Sequence, residues 1–331
     1  MATVAHAFSP KEFTCWIISD ATNAGTSGIH ASNMYQLDVD SVSYPSLNVT
    51  QALDVRSGVG HTLKDEDFFQ DNKIRATELA LSGTLHNDAG HKLLLQNICN
   101  DVSGDAAIAS GHTGTSQKYG AAVTNAASSL TVVIKSSDHS NQKSMEFAGC
   151  VVTNFAVSAD NGTEGGRYKF SATLQTGKVP DLNESSTAAG SNAYANTTHS
   201  LLSSGSSIKV FNVDVVMQSF TCTIEHPAVF SGATSTGYEV VSRGAEASVT
   251  VDTQIKYDGN TKGFPNSFDT QTAAQSGNMF TITNNNAFGI DVQNGVFTNV
   301  AFSEGDIMML DCSIKSVDDG SDALVSFDIT S

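Results

Sequence analysis

The sequence predicts a mainly β protein, and three observations carry that prediction. Within residues 143–177, two runs that alternate apolar and polar residues flank a Gly-rich polar segment, which is the pattern of an antiparallel hairpin. Charged residues make up only 15% of the chain, and the Leu, Glu and Lys that usually fill helices are sparse. A similar order of elements recurs in the second half, which predicts a duplicated β domain.

The first 34 residues form a polar stretch with little periodicity, interrupted by one apolar patch that contains Trp16 and Ile17. We expect residues 1–34 to be an N-terminal arm. The patch would either pack on its own domain or reach a neighbouring subunit.

The first predicted domain covers residues 35–177. Runs rich in Val, Leu and Thr predict strands within residues 35–56 and again within residues 74–85. A charged, Gly-containing loop at 57–73 joins them. The loop includes Lys64, Asp65, Glu66, Asp67, Phe68 and Phe69.

One helix is predicted in this domain, at 91–101. Leu94, Leu95 and Ile98 fall on one side at spacings of three and four, and Asp88 is placed to cap the N-terminus. After a strand at 129–137, the domain ends with the hairpin at 143–177, whose turn contains Asp160, Asn161 and Gly162.

Residues 178–206 are rich in Ser, Ala and Gly, and predict a linker. The second domain, 207–331, then repeats the order of the first. A loop at 227–237 with Val229 and Phe230 takes the place of 57–73. The region that matches the helix contains Gly and Pro, so a second helix is doubtful. A closing hairpin would turn at Asp318, Asp319 and Gly320, the counterparts of Asp160, Asn161 and Gly162.

The charge balance restricts the partners. Lys and Arg total 17 against 34 Asp and Glu, a formal net charge of −17. Such a surface repels the nucleic-acid backbone and anionic membranes, which disfavours a protein that reads nucleic acid. A surface past which DNA slides without sticking is compatible with this charge.

The cysteines and the N-terminus indicate where the chain assembles. Five cysteines lie far apart and form no CxxC pair, which predicts reduced thiols in a reducing cytoplasm. The first residues lack a charged start followed by an apolar run, and no apolar stretch approaches the ~20 residues that span a bilayer. We expect neither a secretory signal nor a membrane partner.

No pattern in the sequence predicts catalysis. The histidines are scattered, and HExxH, GxSxG and P-loop motifs are absent. The acidic residues Asp38 and Asp40, and the run Asp65–Asp67, could bind calcium or be a solvated acidic face, and no EF-hand pattern supports calcium binding. We therefore predict no catalytic, cofactor-binding or metal-binding residues, and no enzyme.

Several segments together resemble the tail tube proteins of tailed bacteriophages, and the resemblance covers most of the chain from about Tyr35. They are IRATELALSGTL, HKLLLQNICND, MEFAGCVVTNFAVSADNG, GRYKFSATLQTGK, FNVDVVMQSFTCTIEHPAVFSG and the closing acidic-turn hairpin. The second half departs from the family pattern in its helix region.

The resemblance implies two tandem tail-tube-type β-sandwich or barrel domains, each with a flanking helix. In the family, six such domains form a ring, and rings stack into a tube through which DNA reaches the host. Three chains would then form a pseudo-sixfold ring; if the second half were only a decoration, six would be needed.

The resemblance also implies partners and a location. The chain would bind itself and other tail proteins, such as a tape measure, sheath or terminator, in a virion tail assembled in the host cytoplasm. Loops and termini would hold the rings together. The candidates for this contact are Trp16, Ile17, Lys64, Asp65, Glu66, Asp67, Phe68, Phe69, Val229 and Phe230.

A carbohydrate-binding or adhesin-like β-sandwich of the virion is the alternative. Such a module is expected to present Trp and Tyr on one face, and the chain has one Trp, near its N-terminus.

Overall fold

The architecture is mainly β, as the sequence predicts. The computed structural model describes residues 10–20, 34–44, 50–53, 68–71, 77–101, 106–108, 116–118, 129–136, 144–184, 192, 201–204, 207–232, 240–243, 246–271, 274–283 and 288–329. The strands are β1 (Phe13–Ser19), β2 (Tyr35–Leu37), β3 (Val39–Ser43), β4 (Thr50–Leu53), β5 (Phe68–Asp71), β6 (Thr77–Thr84), β7 (Ala107–Ile108), β8 (Ser116–Lys118), β9 (Leu130–Ser136), β10 (Ser144–Asp160), β11 (Lys169–Thr176), β12 (Asp181–Glu184), β13 (Ser207–Val210), β14 (Val213–Asp214), β15 (Met217–Glu225), β16 (Val229–Ser231), β17 (Val240–Ser242), β18 (Ser248–Lys256), β19 (Phe280–Thr283), β20 (Phe288–Val292), β21 (Gly295–Ser303), β22 (Met309–Ser316) and β23 (Val325–Ile329).

One antiparallel run of eight strands crosses both halves of the chain. Its order is β3-β6-β11-β10-β15-β18-β22-β21, so four strands of the first half are followed by four strands of the second. We call these eight strands the inner sheet. Along β11, β15, β18 and β22, buried residues alternate with more exposed ones, so one face of the inner sheet is buried and the other is open to solvent.

The buried face of the inner sheet is covered by a second layer. The first part of β10 leaves the inner sheet and pairs with β9, which continues to β1 and β2. This bend falls at a register shift between Phe147 and Cys150, where Gly149 has a φ of 69°, a conformation that favours glycine. A separate six-stranded sheet has the order β14-β13-β19-β20-β23-β7. Five of its strands come from the second half of the chain, and β7 comes from the first half.

The core is continuous between the two halves. Tyr168 of the first half is fully buried and packs its ring edge-on against Phe220 and Phe288 of the second, with ring centroids 5.5 Å and 5.7 Å apart. Phe155, on β10, lies in the same cluster of buried side chains. The two halves are therefore joined both by backbone pairing and by a shared core.

Helix α1 (Ala89–Cys99) begins and ends at capping residues. The carboxylate of Asp88 accepts from the backbone N of His91 at 2.9 Å, and Asn100 closes the helix in the left-handed conformation. The second half carries a shorter helix, α2 (Phe264–Thr270), which has a proline in its first turn and no side-chain cap. The doubtful second helix is thus present as a seven-residue helix.

The apolar patch in the predicted arm at 1–34 packs on its own domain, which is the first of the two alternatives for it. Strand β1 pairs with β9 along its whole length, and Ile17 is fully buried while Trp16 is 8% exposed. The consecutive apolar residues 15–18 are buried on both faces of the strand, so the missing alternation reflects a buried strand. Neither side chain is available for contact between rings.

The predicted linker at 178–206 is partly wrong as well. Strand β12 lies inside it and pairs with β10, and Leu202 is 1% exposed. Of the loop predicted at 57–73, residues Lys64, Asp65, Glu66 and Asp67 lie outside the described residues. Phe68 and Phe69 begin β5, which forms a hairpin with β4.

The closing hairpin is also a wrong prediction. Strands β22 and β23, which flank Asp318, Asp319 and Gly320, lie in different sheets and do not pair with each other. The turn passes from one layer to the other, closed by Asp318 and Asp319 accepting backbone N–H groups. By contrast, the strands that flank Asp160, Asn161 and Gly162, β10 and β11, pair directly.

Candidate functional site

The open face of the inner sheet is covered mainly by small polar side chains. Residues that pair directly in adjacent strands share a face, so rows can be followed across the sheet. One row runs through Ser41, Ser82, Ser171, Ala156, Thr223, Thr250 and Lys315. The next runs through Lys169, Ser158, Thr221, Asp252, Ser313 and Asn299, and its first member, Thr84, is buried. We call this surface the polar face.

Charged groups on the polar face are held by partners on neighbouring strands. Three carboxylates accept from neutral side chains: Asp252 from Ser313 at 2.6 Å, Asp311 from Gln254 at 2.8 Å and Glu78 from Gln175 at 3.4 Å. The ammonium group of Lys169 lies 3.0 Å from the carboxylate of Asp40. The face therefore presents hydroxyls and hydrogen-bonded carboxylates, with the lysines Lys169, Lys256 and Lys315 among them.

The two halves of the inner sheet meet where β10 pairs with β15 over residues 154–160, which we call the internal junction. Three hydrogen bonds lie at its end. Asn161 donates from its backbone N to the carbonyl of Gln218 at 2.9 Å and from Nδ2 to the carbonyl of Met217 at 3.0 Å. Gln218 donates from Nε2 to the carboxylate of Asp160 at 3.3 Å. We call Asp160, Asn161 and Gln218 the latch.

A buried arginine ties the other end of the internal junction to α1. Arg243 donates to the carbonyls of Val152 at 2.5 Å, His226 at 2.6 Å and Asn97 at 2.9 Å. The ring of His226 in turn bonds the carbonyl of Ile98 at 2.8 Å. Burial lowers the pKa of Arg243 to about 10, so the guanidinium keeps its charge at neutral pH. Its planar fork satisfies carbonyls from both halves at once.

The two halves of the inner sheet share an irregularity in the same place. The register of β10 against β11 shifts at 152–154, and that of β21 against β22 shifts at 297–299. At both bulges a threonine, Thr153 or Thr298, donates to a carbonyl of the neighbouring strand at 3.2 Å. The sequences around them, VVTNFAVS and VFTNVAFS, are identical at five of eight positions. Bulges of this kind fix register, so β21 is the counterpart of β10.

A second shared bulge relates the remaining strands. The register of β3 against β6 shifts at 39–41, and that of β15 against β18 shifts at 217–219. Strand β3 is therefore the counterpart of β15, as β6 is of β18 and β11 of β22. The hairpins β4–β5 and β16–β17 occupy the corresponding connections, so β5 and β16 fall inside the loops predicted at 57–73 and 227–237.

The inner sheet ends at β3 on one side and at β21 on the other. In the described part of the chain, no strand pairs with the outer edge of β3, nor with that of β21. Gly295 exchanges two backbone bonds with Gln275, and the backbone N of Phe297 donates to the side chain of Gln271 at 3.1 Å, so the open edge of β21 begins beyond Phe297. Unpaired edges of this length are a recognised site of association between chains.

Half-exposed apolar side chains lie at both open edges. Tyr44, directly after β3, is 40% exposed. Phe302, on β21, is 49% exposed and packs on Tyr257, with ring centroids 5.2 Å apart. In the turn after β21, Ile307 and Met308 are 63% and 46% exposed. The sequence analysis missed these residues, although the repeat VVTNFAVS/VFTNVAFS contained the signal for Phe302.

Other predicted contact residues lie elsewhere. Val229 is 54% exposed and Phe230 is half-buried, both on β16, which belongs to the sheet β16-β17-β8 and not to the inner sheet. Trp16 and Ile17 are in the core, and the side chains of Phe68 and Phe69 are outside the described set.

The described residues offer no group of three or more His, Cys, Asp or Glu side chains placed to hold a metal ion. Nor does any helix in the same ranges have the length and apolar character needed to cross a membrane. All five cysteines are free and buried, and burial raises the pKa of Cys15, Cys222 and Cys312 to about 12.

Comparison with known proteins adds no family assignment. No protein-family model matches the chain, and no curated protein matches it.

Proposed function

We propose that this chain is a structural subunit of a phage tail tube, which forms rings that stack around a DNA-conducting lumen. The internal junction is the observation that supports this proposal. Within one chain, four strands are already joined to four counterpart strands by edge-to-edge pairing of β10 with β15. The same sheet ends in the counterparts of those two strands, β21 and β3, both open in the described residues.

Repetition of the internal junction between copies would close the sheet into a ring. Each of three copies would contribute eight strands, and each half-chain would be one of six similar units. Ring closure removes the exposed edges, and closed symmetry limits growth in the plane of the ring. Within this proposal the chain carries two tandem domains, and a ring of three chains is favoured over a ring of six.

The polar face suits a lumen through which DNA slides. When the sheet closes into a ring, the polar face must lie either inside or outside the ring. We assign it to the inside because its hydroxyls and carboxylates offer few attachment points for phosphates. A cationic lining would instead bind the DNA backbone through counterion release. Repulsion by carboxylates would act over about 8 Å at physiological salt.

Electron microscopy of the purified, concentrated protein tests this function. Hollow rings, alone or stacked into tubes, are expected. Discrete single-chain particles under all assembly conditions would contradict the proposal, and binding of such particles to glycans would favour an adhesin-like module instead.

A further inference from the structure

The pairing of the open edges can be specified residue by residue, and this inference rests on the proposed function. At the internal junction, Val157 lies opposite Cys222 and Ser158 lies opposite Thr221. The bulge at 152–154 matches that at 297–299, which makes Phe302 and Ser303 the counterparts of Val157 and Ser158.

The other edge is aligned in the same way. Because the bulge at 39–41 matches that at 217–219, Ser43 and Tyr44 are the counterparts of Thr221 and Cys222. The matched register brings Phe302 of one copy opposite Tyr44 of the next, and Ser303 opposite Ser43. Phe302 and Tyr44 are about half exposed in the single chain, and aromatic side chains directly opposite in a sheet stabilise the pairing.

A third contact follows from the core of the internal junction. Tyr168, just before β11, packs against Phe220 of β15 across that junction. Their counterparts are Met308, just before β22, and Val42 of β3. Met308 is 46% exposed, and Val42 lines a cavity of about 500 Å³ beside β3. The exposed side chain of Met308 lies next to the β21 edge, and the cavity lined by Val42 lies at the matching position of the β3 edge.

We propose that β21 of one copy pairs antiparallel with β3 of a second copy of this chain, with Ser303 opposite Ser43 and Phe302 opposite Tyr44. Met308 of the first copy then contacts Val42 at the cavity of the second. Each open edge thus pairs with the other open edge of an identical chain. Because the two edges differ, the interface is heterologous, and its repetition leaves no free edge only when the chains form a closed ring.

Disulfide cross-linking tests the register. The double variant S43C/S303C places two thiols opposite each other, at the Cα spacing of about 4.5–5.5 Å that a disulfide accepts. The matched control, S41C/S303C, moves one thiol by two residues on the same strand, to a diagonal spacing of about 7–8 Å. The native cysteines contribute little background, because all five are buried and burial raises the pKa of each.

Assembled rings of each variant are oxidised mildly and separated on a denaturing, non-reducing gel. We expect covalent multimers that end at the ring size for S43C/S303C, at least tenfold more abundant than for the control. Equal or greater cross-linking of S41C/S303C overturns the register. Rings seen by electron microscopy without cross-links in either variant overturn the β21–β3 pairing but leave the ring proposal standing. Absence of rings from the wild-type chain overturns both.

A second variant tests the cavity contact. M308D should reduce ring formation at least tenfold while leaving the folded single chain intact, because it places a charge against Val42 of the neighbour. V179D is the control, since Val179 is 45% exposed and lies beyond the other end of β11. Equal ring formation by M308D and wild type would exclude Met308 from the interface.

Discussion

The internal junction is formed by β10 and β15, and the open edges are their counterparts, β21 and β3. The two differ in the side chains at the end where the latch lies. The latch places Asn161 and Gln218 as donors at the internal junction. At the corresponding positions of the open edges stand Asp306 and Asp40. A carboxylate cannot donate a hydrogen bond, so the latch has no equivalent there. If the open edges pair as proposed, this difference predicts a permanent junction within the chain and a weaker, reversible one between chains, held by backbone pairing and apolar contact.

The largest effect is expected at the internal junction from R243A. Removing the guanidinium leaves the buried carbonyls of Val152, His226 and Asn97 without their charged donor. We expect a loss of about 3 kcal/mol or more in the free energy of unfolding, measured by denaturant titration. K315A, at an exposed lysine of the polar face, serves as the control and should change stability by less than about 0.5 kcal/mol. A similar stability of R243A and wild type would refute the role of this arginine.

At the open edges, F302D should abolish ring formation and spare the fold. The substitution puts a charge where Tyr44 of the neighbour is expected, and Phe302 is half exposed in the single chain. F268D provides the matched control, because Phe268 is 39% exposed on α2. Sedimentation should show single chains for F302D and rings for F268D. If both variants form rings equally well, the β21 edge is not the interface.

N161D makes the internal junction resemble the open edges. The change removes the Nδ2 donor to the carbonyl of Met217, and we expect a loss of about 1 kcal/mol in unfolding free energy. Thermal and denaturant unfolding measure this loss. An unchanged stability would mean that the latch does not contribute to the junction.

The reciprocal substitution, D306N, supplies the open edge with the missing amide. We expect ring association to strengthen by about 1 kcal/mol, roughly fivefold in the dissociation constant per contact. Ring formation as a function of protein concentration gives this constant. Weaker association of D306N would contradict the equivalence of the two junctions.

V229D should have the smallest effect on the ring. Val229 lies on the β16–β17 hairpin, in a different sheet from both open edges, and is 54% exposed. If this hairpin contacts the next ring, V229D leaves ring formation unchanged and shortens or abolishes tubes in electron micrographs. Tubes of normal length would exclude Val229 from stacking.

Local patterns predicted much of the fold because they depend on neighbours in the chain. The alternation at 143–177 identified the β10–β11 hairpin, and the Leu94, Leu95 and Ile98 spacing together with Asp88 identified α1 to within two residues at each end. Alternation of apolar and polar residues predicts a strand, but it does not predict which other strand pairs with it. Residues 309–316 and 325–329 both alternate, yet they belong to different sheets.

The candidate site was harder to predict, because it depends on which strands remain unpaired. Phe302 and Tyr44 fit an ordinary alternating pattern, and only the sheet order places them at open edges. The prediction that Trp16 and Ile17 contact a neighbouring ring is wrong, because both side chains are buried. The sequence allowed the apolar patch either to pack on its own domain or to reach a neighbouring subunit, and β1 is in fact covered on both faces.

A cryo-electron microscopy map of the assembled protein tests the central claim most directly. The account predicts a ring of three chains with one uninterrupted inner sheet, in which β21 of each chain is followed by β3 of the next and Phe302 faces Tyr44. A ring in which these edges stay open, or pair with any other element, would contradict it.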